Sequence, residues 1–148
     1  MQAAQMAEEY PVVDLDSDAL DAARLLAERR LPGLVVVDPS GCPHSVLPAS
    51  QVVRFLVPSY VQDDPSLAGV LTESLADRAA GKLAGTKVRR LIGDETPELP
   101  AVRADDTLIE VAALMARLHC PLVAVMDGKT LIGVITASRL LELALATG

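Results

Sequence analysis

Apolar positions along the chain fall into two blocks that run through the same order of periods. In the second block Leu108, Val111, Ala112, Met115 and Leu118 recur at three- and four-residue spacing, which predicts a helix with one buried face. Thr107 and Glu110 stand where a capping box starts such a helix, the Thr side chain accepting from the backbone and the Glu reaching back. Pro121 stops it, because proline disfavours helix in the residue before it. Leu122–Met126 is wholly apolar and of strand length, Asp127-Gly128 signals a hairpin, and Leu131–Thr136 is the return strand. Ser138–Ala146 closes the block as a second helix, and Ala101-Val102 opens it as a short extended piece.

The first block reads the same way. Val12-Val13 is extended, a helix follows behind Asp18 and Asp21, and Leu34–Val37 and Ser45–Leu47 flank a Pro39-Ser40-Gly41 turn. Ala49–Val57 is the closing helix. Leu15–Asp38 and Ala104–Asp127 align without a gap at an offset of 89, with Asp16/Asp105, Ala23/Ala112, Leu25/Leu114, Ala27/Ala116, Pro32/Pro121, Val36/Val125 and Asp38/Asp127 identical. One residue of slippage later, Val46, Ala49 and Ser50 meet Val134, Ala137 and Ser138. Each block is strand, helix, strand, strand, helix, and a block alone leaves an apolar face open. Two related by a pseudo-twofold axis bury those faces together, so the expected fold is α+β with two repeats sharing one core. Between them Leu67–Ala80 has helical spacing, with Gly81 and Gly85 expected to break it, and Lys87–Ile92 leads into the second repeat.

Composition narrows the function. Of 148 residues 51% are hydrophobic, but the only aromatics are Tyr10, Phe55 and Tyr60, so the core is aliphatic. No apolar run approaches the roughly 20 residues that cross a bilayer, and the acidic start MQAAQMAEEYP is no secretion leader. The two cysteines, Cys42 and Cys120, lie in no paired motif, which suits a reducing cytoplasm. A net charge of −7 opposes nucleic-acid binding, and Arg29-Arg30 and Lys87–Arg90 read as solvated helix faces. Cys42 and His44 are two ligands where a structural zinc needs four. No nucleophile with a base and helper stands out, so an enzyme is not expected.

The repeated helix followed by Leu31-Pro-Gly-Leu-Val-Val-Val-Asp38 and Cys120-Pro-Leu-Val-Ala-Val-Met-Asp127 resembles a tandem pair of cystathionine-β-synthase (CBS) domains. Leu131-Ile-Gly-Val-Ile-Thr-Ala-Ser-Arg139 adds a close match to the family's Gly-x-x-Thr-x-x-Asp signature. The resemblance implies CBS repeat 1 over 6–58, a connecting helical segment over 59–86 and CBS repeat 2 over 87–148. It implies a regulatory module that binds AMP, ADP, ATP or S-adenosylmethionine between the repeats, with no cofactor required. It also implies a homodimer, a disc of four CBS units, that controls a separate partner in trans, by family habit a transporter or an enzyme. A ligand-free scaffold is the alternative.

The cleft implied by the resemblance takes Val102, Arg103, His119, Leu122, Gly133, Thr136, Ser138 and Arg139 from the second repeat, with Arg30 and Gln51 from the first. Gly133 permits close approach, and Thr136 and Ser138 offer hydroxyls to a phosphate at a helix start, or Thr136 simply caps the helix. Arg139 replaces the ribose-binding Asp. It cannot accept from a diol and suits an anion instead, or is a solvated first-turn residue. The first repeat departs further, with Ser45, Pro48 and Gln51 at the Gly, Thr and Asp positions. Arg30 and His119 share one repeat position, where the family places a phosphate-facing basic residue. As a pair across the pseudo-twofold they can clamp one anion, or each is a cation at a helix C-terminus.

Overall fold

The computed structural model describes residues 1–57, 64, 66, 74–93 and 99–146. Strands β1 (Val12–Asp14), β2 (Gly33–Val37) and β3 (Pro43–Pro48) form one sheet with helices α1 (Ala3–Met6), α2 (Ala19–Arg29) and α3 (Ala49–Leu56) interleaved along the chain. Helices α4 (Ser74–Leu83) and α5 (Val88–Ile92) follow. The second sheet is β4 (Ala101–Arg103), β5 (Leu122–Asp127) and β6 (Thr130–Thr136), with α6 (Leu108–Leu118) and α7 (Ala137–Ala146). In both sheets the first pair is parallel and the second antiparallel. Even the irregularities repeat: the register slips at Val36/Val37 in one sheet and at Val125/Met126 in the other.

The unbroken apolar strands follow from burial on both faces. Leu34 and Val36 pack with Leu26, Leu47 and Val52 of their own repeat, and Val123 and Val125 with Val111, Met115 and Leu140 of theirs. The alternate residues Val35, Leu122 and Val134 meet in a third cluster with Tyr10, Val37, Val46 and Leu131. The shared core is thus two repeat cores joined by a sheet-to-sheet seam. Gly33 lets that seam close, since a Cβ there would lie 3.3 Å from Leu122 Cδ2 and 3.0 Å from Leu47 O.

The short helices are exchanged between repeats. Helix α1 donates backbone hydrogen bonds from Ala3 to Asp106 O and from Ala4 to Ala104 O, and buries Ala3 and Met6 completely in the second repeat's core. Helix α5 donates from Val88 to Ser17 O and from Arg89 to Leu15 O, and buries Val88 and Leu91 in the first repeat's core. Asp106 and Ala104 are Ser17 and Leu15 moved by the repeat offset, so the two docking schemes are the same. Lys87–Ile92 opens the second repeat in chain order but packs on the first.

The expected helix Leu67–Ala80 lies outside the described residues over 67–73. Its described part runs through Gly81 to Leu83, so Gly81 does not break it; Gly85, at φ 76°, follows its end. The capping box at Thr107 and Glu110 forms, whereas Asp18 caps α2 alone by accepting from Leu20 N–H. Both α2 and α6 end in a left-handed residue, Arg30 at φ 53° and His119 at φ 52°.

Candidate functional site

The β6–α7 corner carries four of the sequence-predicted residues. Thr136 Oγ1 accepts the Arg139 N–H at 3.1 Å, so its first task is to cap the helix. That hydroxyl still has its own proton to donate. Ser138 is exposed beside it. Gly133 does serve a close backbone approach, but the visitor is the chain itself: a Cβ there would stand 2.6 Å from Glu8 O. Arg139 is held by carboxylates rather than free in solvent. Its side chain is 29% exposed, with Nε 3.8 Å from Glu8 Oε1 and Nη1 3.3 Å from Glu142 Oε1.

The first repeat's equivalent corner is closed differently. Ser45 is buried and its hydroxyl lies 3.1 Å from His44 Nδ1. Pro48 supplies no cap, and Gln51 donates from Nε2 to Leu91 O at 3.3 Å, tying α3 to α5. The amide expected to face a ribose is partly spent on the fold.

Two clefts lie between the repeats, at equivalent places. The larger, about 590 Å³, is framed by Pro11 before β1, Arg29 at the end of α2, and Leu131–Gly133 of the opposite repeat. The smaller, about 250 Å³, is framed by Pro100 before β4, Leu118 and His119 at the end of α6, and Val46 and Pro48 of the opposite repeat. Pro11/Pro100 and Arg29/Leu118 keep the 89-residue offset. The smaller cleft is an apolar slot, with Cys120 and Pro121 in its wall and exposed His119 at its rim. Burial pushes the Cys120 thiol above its ordinary range, so it stays protonated near neutral pH.

His119 therefore reaches a cleft, while Arg30 lines neither of these two. Their left-handed backbone marks both as helix stops. Val102 and Leu122 bury their side chains, in the second repeat's core and in the seam. Arg103 is exposed, its N–H donating to Asp106 Oδ2 at 2.9 Å. Sequence reasoning missed Glu8, Tyr10, Val46, Pro100 and Cys120. The Pro11/Pro100 identity was the available signal. Tyr10 O–H donates to Gly33 O at 2.6 Å, and burial raises its pKa against the opposing effect of that bond. Cys42 and His44 sit by a turn in which Asp38 Oδ1 accepts from Ser40 and Cys42; the Ser40 hydroxyl foremost holds the Asp38 carboxyl below its usual range. Among the described residues no three His, Cys, Asp or Glu side chains gather as metal ligands, and no helix is long and apolar enough to cross a membrane.

The CBS domain family matches the chain twice, over residues 3–58 and 88–146. A CBS domain-containing protein from Kribbella flavida is 69% identical, over 98% of this chain and 99% of that one, with a TM-score of 0.85. CBSX2, a CBS-pair protein from Arabidopsis thaliana, is 22% identical over 99% of this chain and 95% of its own, with a TM-score of 0.76. The structure of CBSX2 in complex with AMP aligns over 99% and 97% at 20% identity, with a TM-score of 0.71. At that identity the likeness is one of fold. No curated protein matches.

Proposed function

The chain belongs to the CBS-domain family, and from that premise we propose that it is a regulatory CBS pair that binds an adenosine-based ligand and signals to a separate protein. AMP, ADP, ATP and S-adenosylmethionine are the ligands to test. The observation that carries the reading is the apolar slot between the repeats, walled by Val46, Pro48, Leu118, Cys120 and Pro121 with His119 at its rim. A flat, mostly apolar base fits such a slot, and an imidazole at the rim suits a ribose or phosphate. CBSX2, of similar fold, holds AMP. A ligand there touches both repeats, so it favours one relative setting of them over another, and that difference is what a partner reads. The module regulates and does not catalyse. It works as a homodimer through its outer helices, where Val53 of α3 and Leu141 of α7 stand at the same repeat position, 58% and 59% exposed.

The test is a melting screen with the four ligands, adenosine and plain phosphate, together with alkylation of Cys120. A ligand at about 100 times its dissociation constant adds roughly 2.7 kcal/mol. The expected result is a rise with one adenosine ligand and slower Cys120 labelling in its presence. No rise with any, in a folded protein, rejects the reading. One observation favours the scaffold alternative: Arg139 and Gln51, at the positions of the ribose-binding Asp, are engaged by Glu8, Glu142 and Leu91.

A further inference from the structure

Glu8 lies on the strap that joins α1 to β1 and crosses β6. Its N–H donates to Val134 O at 2.9 Å and its carbonyl accepts from Val134 N–H at 3.0 Å, an antiparallel bridge seated over Gly133. Its carboxylate lies 3.8 Å from Arg139 Nε. That is charge pairing at a separation too long for a hydrogen bond, and Nε is buried with no hydrogen-bond partner. The other contact of Arg139, to Glu142, is within its own helix.

The backbone bridge needs no carboxylate at position 8, though the Glu8–Arg139 pair adds to its hold. A carboxylate there matters only for Arg139, and it satisfies that guanidinium poorly. A phosphate that offers two oxygens to the guanidinium edge, Nε–H included, makes the bonds that Glu8 leaves unmade. We propose that Glu8 is a built-in competitor for the phosphate of a bound nucleotide at Arg139, and that phosphate binding frees the strap Ala7–Tyr10 from β6. The inference rests on the nucleotide reading above, places the phosphate beside the larger cleft, whose wall includes Glu9, Tyr10 and Gly133, rather than in the smaller slot, and adds its regulation. The far end of the strap is tied to the first repeat by the Tyr10 hydrogen bond to Gly33 O, so loosening Glu8 changes a tether between the repeats.

Calorimetry on the full chain with AMP, adenosine and inorganic phosphate tests this in wild type, E8Q, R139Q and the double variant. Amide exchange at Val134 is followed in parallel. E8Q should tighten AMP and phosphate by about threefold to fivefold, the range of a partly exposed ion pair, and leave adenosine unchanged. The gain should vanish in the R139Q background. Exchange at Val134 should rise in ligand-free E8Q and in wild type with AMP. Equal AMP affinity in wild type and E8Q overturns the competition and spares the nucleotide reading. So does an equal gain for adenosine. Faster exchange in E8Q with no binding of AMP or phosphate in any variant overturns both.

Discussion

Two glycines show how much a single hydrogen decides in this fold. At Gly133 a methyl would press on Glu8 O, a backbone atom that cannot swing aside. Gly133→Ala should cost about 1–3 kcal/mol as an overpacking change. Gly81 sits exposed inside α4 with open space where its Cβ would be, and Gly81→Ala should gain up to about 1 kcal/mol of helix propensity. Urea unfolding of the two variants checks the opposite signs, and destabilisation by both would refute the account. Arg30 is the converse case, a side chain held at φ 53° where glycine belongs. A left-handed residue costs about 1 kcal/mol, so Arg30→Gly should raise Tm by about 2–4 °C. A fall would mean that the guanidinium has a structural partner. These residues were legible to different depths. Thr107 and Glu110 announce their capping box because both its partners lie within one turn. Gly133 announces a close approach, but the visitor, Glu8, lies 125 residues away in the sequence, and no local pattern names it.

Elements with a period could be read, and elements without one could not. The helices α2 and α6 and the doubly buried strands β2 and β5 stand where apolar spacing puts them. Helices α1 and α5 span four and five residues, too few to show a period, and their stability comes from docking. Met6 is fully buried, so Met6→Ala should cost about 2–5 kcal/mol although its helix is a single turn. Thr107→Ala removes one cap from the much longer α6 and should cost about 1 kcal/mol. Chemical denaturation ranks them, and the reverse order would show that α1 is held elsewhere.

The molecule is symmetric in fold and asymmetric in chemistry. One inter-repeat cleft is rimmed by Arg29 and the other by His119, and only the β6–α7 corner has a threonine cap. The offset of 89 made the symmetry legible, while the clefts stayed hidden because each is assembled from both repeats. If the outer helices pair two chains, Val53→Glu with Leu141→Glu should yield monomers by sedimentation without unfolding; a dimer that survives moves the interface elsewhere. The exchange of α1 and α5 also bears on how the chain is made. As the protein leaves the ribosome, the first repeat cannot complete its core until Val88 and Leu91 have emerged. Helix α1 precedes its partners in the chain and must wait for Ala104 and Asp106. A turn made before the core it docks on is thus among the last to settle, and until then Met6 is apolar surface for a chaperone to hold.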